Sequence, residues 1–143
     1  MATTTTSATT TLPPEGTAPL RSEQDIVMCR QAVRKLTQQL GFSLVDQTKM
    51  ITAASELARN AVVYGRGGEM RWRFVTQGIR NGLRLAFEDQ GPGIPDMDLA
   101  LTDGWTSGSG LGVGLSGSKR LVNEFEIRTA VGEGTCVTIT RWK

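Results

Sequence analysis

The chain of 143 residues contains no histidine. That absence removes several kinds of chemistry at once. There is no Ser-His pair for nucleophilic catalysis, no histidine to hold zinc and no histidine to accept a phosphoryl group. Cysteine is nearly as scarce. Cys29 and Cys136 stand far apart, at neither a metal-binding nor a disulfide-framework spacing, and both read as small apolar residues in a reducing compartment. No apolar run approaches the ~18 residues of a membrane-spanning helix. The N-terminus has neither the apolar stretch of a signal peptide nor the arginine-rich character of a transit peptide. The net charge of +2 is too balanced to point to nucleic acid or an anionic membrane as a partner. What remains is the expectation of a cytoplasmic protein of one domain, with no nucleic-acid and no membrane partner.

Glycine, in contrast, is plentiful and unevenly placed. Residues 1–21, rich in Thr with Ala, Ser, Pro and Gly, have little to bury and read as a disordered tail ahead of a domain over residues 22–143. A helix is predicted from about Ser22 to Leu40, with Ile26, Cys29, Val33, Leu36 and Leu40 at helical spacing and Gly41 as the stop. Phe42 to Val45 read as a link. Asp46 then reads as the N-cap of a second helix that runs to about Val63.

Met70, Trp72 and Phe74 alternate with arginines, and Leu83, Leu85 and Phe87 repeat the pattern, which predicts two strands joined by a reversal at Asn81-Gly82. Asp89 follows directly. A short helix over Asp96 to Leu101, a Gly/Ser-rich loop and a helix over Val113 to Asn123 come next. Strands from Phe125 to Ala130 and Thr135 to Trp142 close the chain across Gly132-Glu133-Gly134. The predicted fold class is α+β: a two-layer sandwich with a mixed, mainly antiparallel sheet and its helices on one face. Arg71, Arg73 and Arg84 mark the open face.

Three motifs carry chemistry. In Glu56-Leu57-Ala58-Arg59-Asn60, the four-residue step stacks a carboxylate and a carboxamide on one side of a helix. Asn60 offers a neutral oxygen to a Mg²⁺ held mainly by phosphates. Glu56 offers a base for a hydroxyl, a role that typically contributes ~10²–10⁴-fold to a rate. The same two residues also fit the polar side of an ordinary amphipathic helix. In Asp89-Gln90-Gly91-Pro92-Gly93, a carboxylate ends an inward-facing strand, where an isolated charge is costly. An adenine amino group would satisfy it, and Gly91 and Gly93 would let a flat purine approach. A plain Asp/Gly/Pro turn is the alternative.

The third motif is the run from Gly108 through Gly110, Leu111, Gly112 and Val113 to Gly114 and Leu115, where glycines free backbone N–H groups to converge on an anion at a helix start. The dinucleotide pattern also matches over Gly112 to Gly117, but no strand precedes it. The P-loop pattern fails because Ser118 stands where its lysine is required.

The ordered set of Glu56 and Asn60, Asp89-x-Gly91-x-Gly93, Gly110-x-Gly112-x-Gly114 and Gly134-Thr135 resembles the GHKL ATPase superfamily of gyrase, Hsp90, histidine-kinase and MutL ATP domains. Within it, the stretches Glu88 to Ile94 and Gly117 to Phe125 look most like the switch-protein serine kinases of partner-switching systems, of the RsbT type. That resemblance implies a Bergerat-type ATP-binding fold using ATP and Mg²⁺. It implies Asn60 on the metal, Asp89 on the adenine amine, Thr135 supporting the adenine end, and Glu56 as the base acting on a serine or threonine of a STAS-domain antagonist protein. A PP2C-type phosphatase or a sigma factor is implied as a further partner. An anti-sigma factor or nucleotide-dependent binding regulator using the same pocket is the alternative. Related kinases often carry a lid arginine, whereas Ile94 to Ser118 has no Lys or Arg. Lys119, Arg120, Arg59 or the partner would then supply positive charge at the γ-phosphate.

Overall fold

The computed structural model describes residues 11–92 and 114–143. Helix α1, Glu23–Gln39, starts where the extended backbone of Ser22 lets its Oγ accept from the Asp25 N–H at 3.2 Å. It ends in a Schellman turn. Gly41 takes φ +78°, its N–H reaches the Gln38 carbonyl and the Phe42 N–H reaches that of Thr37, both at 3.0 Å. Helix α2, Leu44–Val63, begins two residues before the expected cap. Ser43 is the N-cap, and its Oγ accepts from the Asp46 N–H at 3.1 Å. Asp46 thus falls in the first turn, where its carboxylate is free to bond Arg141.

Among the described residues five strands form one sheet in the order β1-β2-β3-β5-β4, every neighbouring pair antiparallel. The first, β1 (Glu15–Leu20), corrects the expected tail: residues 15–20 pair along β2 from Glu15↔Arg73 to Leu20↔Gly68. Composition alone hides this strand because an edge strand needs little apolar content of its own. Its register is held from outside, by the Trp72 indole donating to the Pro13 carbonyl at 3.0 Å and the Phe74 N–H to that of Pro14 at 2.8 Å.

Strands β2 (Gly68–Gln77) and β3 (Arg80–Asp89) form a hairpin whose turn is the two residues Gly78 and Ile79. The expected reversal at Asn81-Gly82 is therefore displaced. Those residues pair with Thr76 and Val75, while Gly78 at φ +62° supplies the first position of a type II′ turn. A short helix α3, Gly114–Arg120, precedes β4 (Glu124–Ala130) and β5 (Gly134–Trp142), which form the expected hairpin, with Gly132 and Gly134 at positive φ.

Met70, Trp72, Leu83, Leu85, Phe87, Val137 and Ile139 face α1 and α2 and bury with Cys29, Val33, Leu36, Met50 and Leu57 in one core. Fully burying one such side chain stabilises by roughly 1.5–3 kcal/mol. Arg71, Arg73 and Arg84 lie on the opposite face, which carries surface ion pairs of Arg71 with Glu88 and of Arg84 with Glu124. The two-layer α+β sandwich with helices on one side is as the sequence predicts. Among the described residues no helix is long and apolar enough to cross a membrane.

Candidate functional site

Glu56 and Asn60 sit one turn apart on α2, as expected. Glu56 is 3% exposed, and Asn60 is half-buried. The amphipathic-surface alternative fails for Glu56, because a carboxylate on a solvated face would not be enclosed. Asn60 Oδ1 is buried and accepts no hydrogen bond among the described residues. A buried acceptor left in this state costs ~1–3 kcal/mol. A hard cation would satisfy it. No group of three or more Cys, Asp or Glu that could hold a metal occurs among the described residues. A cation at Asn60 would thus draw its other ligands from phosphates and water, as Mg²⁺ commonly does.

The end of α2 brings Asn60 toward β3. The Tyr64 and Gly65 N–H groups both reach the Asn60 carbonyl at 3.0 Å, and Arg66 and Gly67 turn the chain through φ +62° and +93°. Gly65 then lies directly against the Asp89 side chain, with no space for a Cβ of its own. From the other side, a Cβ on Gly91 would sit 2.6 Å from Gly65 Cα. Gly134, at φ +91°, is packed against the Asp89 carbonyl. Three glycines thus let the end of α2, the end of β3 and the start of β5 close in around Asp89. In the sequence Gly134 reads as a hairpin residue and as part of the Gly134-Thr135 motif, and Gly65 as no more than part of a turn. The run Tyr64-Gly65-Arg66-Gly67-Gly68 was the available signal, but a turn and a close packing contact look alike in sequence.

Asp89 ends β3 opposite Thr135. Burial pushes its carboxyl above the usual range, and the backbone N–H groups of Gly91 and Thr135 partly oppose that. The Gly91 bond to Oδ1 is 2.9 Å long. A donor added to this carboxylate would compensate its desolvation. Thr135 shares a 2.9 Å hydroxyl contact with Thr129 beside it. Outward from Asp89, a groove of about 360 Å³ is lined by Gln90, Arg128, Glu133 and Thr135 among others.

Gly114 opens α3 at φ +72°, and Ser118 Oγ caps its carbonyl at 2.9 Å. Leu115 is 1% exposed and belongs to the core, so what it can offer an anion is its backbone. α3 packs on α2, the helix that carries Glu56 and Asn60. Gly93, Gly108, Gly110, Leu111, Gly112 and Val113, like the helix expected over Asp96 to Leu101, lie outside the described residues. Arg59 and Lys119 are exposed, as is Arg120.

Residues 45–143 match the family of histidine kinase-, DNA gyrase B- and HSP90-like ATPases. The chain is 43% identical over 123 residues to the serine/threonine-protein kinase RsbT of Bacillus subtilis (strain 168), covering 86% of this chain and 92% of that protein. It is 25% identical over 129 residues to an anti-sigma F factor of Thermoanaerobacter sp. (strain X514), covering 86% and 89% of the two. Among solved structures, the RsbU and RsbW domains of a Mycobacterium tuberculosis protein align with a TM-score of 0.61 at 20% identity, over 92% of this chain and 33% of that one. That last likeness is one of fold.

Proposed function

Because the chain belongs to the histidine kinase-, DNA gyrase B- and HSP90-like ATPase family, we propose that it is an ATP-dependent serine/threonine-protein kinase of a bacterial partner-switching system. Its substrate is a STAS-domain antagonist protein in the cytoplasm, and a PP2C-type phosphatase is the partner it releases or engages. The observation that carries this reading is the unsatisfied Asn60 Oδ1, one helical turn from the enclosed Glu56, on a helix whose end packs against Asp89. The similarity to a kinase over nearly the whole length of both chains supports the reaction type.

In this reading each residue has one task. Asp89 accepts from the adenine amino group, with Thr135 beside it. Asn60 would contribute one oxygen to a bound Mg²⁺, which would bring the charge compensation that the phosphates need. The backbone at Gly114 and Leu115, with the glycines before it, holds phosphate oxygens. Glu56 takes the proton from the attacking serine or threonine hydroxyl. As that oxygen bonds to the γ-phosphorus, the bond to the ADP oxygen breaks and the phosphoryl group passes to the protein substrate. Arg59 and Lys119 are exposed cations that a docking partner can draw toward the transferred phosphate.

The test is phosphate transfer from labelled Mg-ATP to the STAS protein encoded nearest to this gene. Transfer by the natural chain and its loss by at least about a hundredfold in Glu56→Gln, with ATP affinity kept, is the expected result. No transfer, with both chains alike, overturns the catalytic assignment. The likeness to an anti-sigma factor favours one second reading. Capture of a sigma factor that survives Glu56→Gln would support it.

A further inference from the structure

One row of the sheet holds three polar side chains in line. Asp89 of β3 stands opposite Thr135 of β5, and Thr135 stands opposite Thr129 of β4. All three are half-buried. By the two-residue alternation, Asp89 shares its face with Phe87, Thr135 with Val137 and Thr129 with Ile127, which is the face that the helices cover. The role of Asp89 and of Thr135 toward a nucleotide has been argued above. Thr129 has none yet.

The geometry around Thr129 fixes the direction of two protons. Thr129 Oγ1 donates to the Gly134 carbonyl at 3.2 Å and lies 2.9 Å from Thr135 Oγ1. A hydroxyl has one proton to give, and a carbonyl oxygen can only accept. With the Thr129 proton on the Gly134 carbonyl, the Thr135 proton goes to Thr129, and both contacts are hydrogen bonds. The reverse assignment keeps one bond and sets the Thr129 and Gly134 oxygens against each other with no proton between them. The contact of Thr135 with the Asp89 carboxyl runs through its backbone N–H. Its hydroxyl is therefore left with lone pairs alone to offer a ligand.

This matters because Asp89 by itself does not choose between purines. Adenine offers a carboxylate its 6-amino N–H, but a 6-oxopurine offers its N1–H. The two bases differ at position 6, where adenine donates and the 6-oxopurine accepts. We propose that Thr129, by taking the Thr135 proton, makes Thr135 an acceptor only and so sets a preference for 6-amino over 6-oxo purine nucleotides. The inference rests on the reading of Asp89 as the group that binds the adenine edge. Thr129 touches no base in this account and is a positioning residue. A 6-oxygen brought to Thr135 would meet a lone pair and lose its water without a replacement bond. Leaving a polar group of the wrong ligand unpaired is an effective way to reject it.

The experiment is titration calorimetry of the full chain with Mg-ATP and with Mg-inosine triphosphate, which differ only at the base. The natural chain is expected to bind ATP at least about tenfold more tightly. Thr129→Val keeps the branched shape but no longer accepts, so the Thr135 hydroxyl can turn and donate to a 6-oxygen. Inosine triphosphate should then bind more tightly than it does to the natural chain, and the preference for ATP should shrink by at least about fivefold. Thr129→Ala, which also lacks the hydroxyl, must act in the same direction, and so must Thr135→Val. Thr129→Ser keeps the hydroxyl and should keep the preference. A merely structural role for Thr129 would weaken both nucleotides alike and leave their ratio unchanged. An unchanged ratio in Thr129→Val and Thr129→Ala, a ratio lost in Thr129→Ser, or a natural chain that binds both nucleotides equally overturns the inference. Asp89→Asn separates the two readings. If ATP affinity survives that change, the adenine assignment falls and the inference with it. If ATP affinity drops while the Thr129 variants keep the natural ratio, the inference alone falls.

Discussion

The carboxyl group of Asp89 stands where a side chain on Gly65 would have to be: a Cβ at Gly65 would collide with Asp89 Cγ. The end of the helix that carries Glu56 and Asn60 therefore touches the end of the strand that carries Asp89 with nothing between them. Two separate stretches of sequence become one site through that contact.

Gly65→Ala is expected to cost ~1–3 kcal/mol of stability, the usual price of overpacking, and to weaken nucleotide binding beyond what the stability loss explains. Denaturant unfolding and titration calorimetry on the same preparation separate the two effects. Gly65 itself has no positive φ, so the cost arises from the Asp89 contact rather than from backbone strain.

Asn60→Ala removes a buried acceptor that has no partner among the described residues. The nucleotide-free protein should therefore melt at the same temperature or higher. The increase in ATP affinity that Mg²⁺ brings should disappear. Thermal melts with and without Mg-ATP check both halves. A clear loss of stability without ligand would mean that Asn60 is bonded in the free protein.

Asp89 titrates above the ordinary carboxylate range because it is partly buried. In the free protein its ionised form costs stability at pH values above that raised pKa, and the cost is relieved as pH falls through it. In the proposed role nucleotide binding has the opposite sign, since an ionised carboxylate is the stronger acceptor for an adenine amino group. Affinity should fall with decreasing pH, and the fall should begin above the ~3.9 of an unperturbed Asp. Calorimetric titrations from neutral pH downward measure this. Asp89→Asn should weaken binding strongly and flatten the profile.

Arg141 ties three elements together: it donates to Asp46 of α2 at 2.5 Å and to the Leu121 carbonyl after α3 at 2.9 Å, from a position in β5. The Arg141 hydrogen bond holds the Asp46 carboxyl below its usual range. The stability that this lowered pKa contributes is present above the unfolded-state value and is lost as pH falls through the folded one. Arg141→Ala should destabilise by ~1–2 kcal/mol near neutral pH, and less in acid, where Asp46 is protonated. Urea unfolding at the two pH values reads the difference.

The two thiols should differ. Burial pushes Cys29 up to about 12, and the residue is 0% exposed. Cys136 is half-buried. One thiol per chain is expected to react with a mild disulfide reagent in the native state, and both after unfolding.

Much of this architecture is written in local sequence. The 3.6-residue spacing of Ile26, Cys29, Val33 and Leu36 specifies α1, and the alternation through Met70, Trp72 and Phe74 specifies β2. The cap of α2 was misplaced because Ser43 and Asp46 are both good caps. The choice between them depends on Arg141, far away in sequence, which takes the Asp46 carboxylate for itself. The hairpin reversal was misplaced because Asn81-Gly82 and Gly78-Ile79 are both plausible turns. Cross-strand pairing of the whole hairpin decides between them.

What the sequence by itself determined was the set of chemical parts. A chain without histidine, with Glu56 and Asn60 at helical spacing, Asp89 at a strand end and a crowd of glycines, already limits the chemistry. Only the tertiary structure decided which parts meet. It enclosed Glu56, left Asn60 Oδ1 buried without a partner among the described residues, and recruited Gly65, Gly91 and Gly134 as contacts around Asp89. It also drew residues 15–20 into the sheet. The reason is physical. Helical and strand periods depend on near neighbours along the chain, whereas burial, desolvation and the room for a Cβ depend on whatever the fold brings from elsewhere.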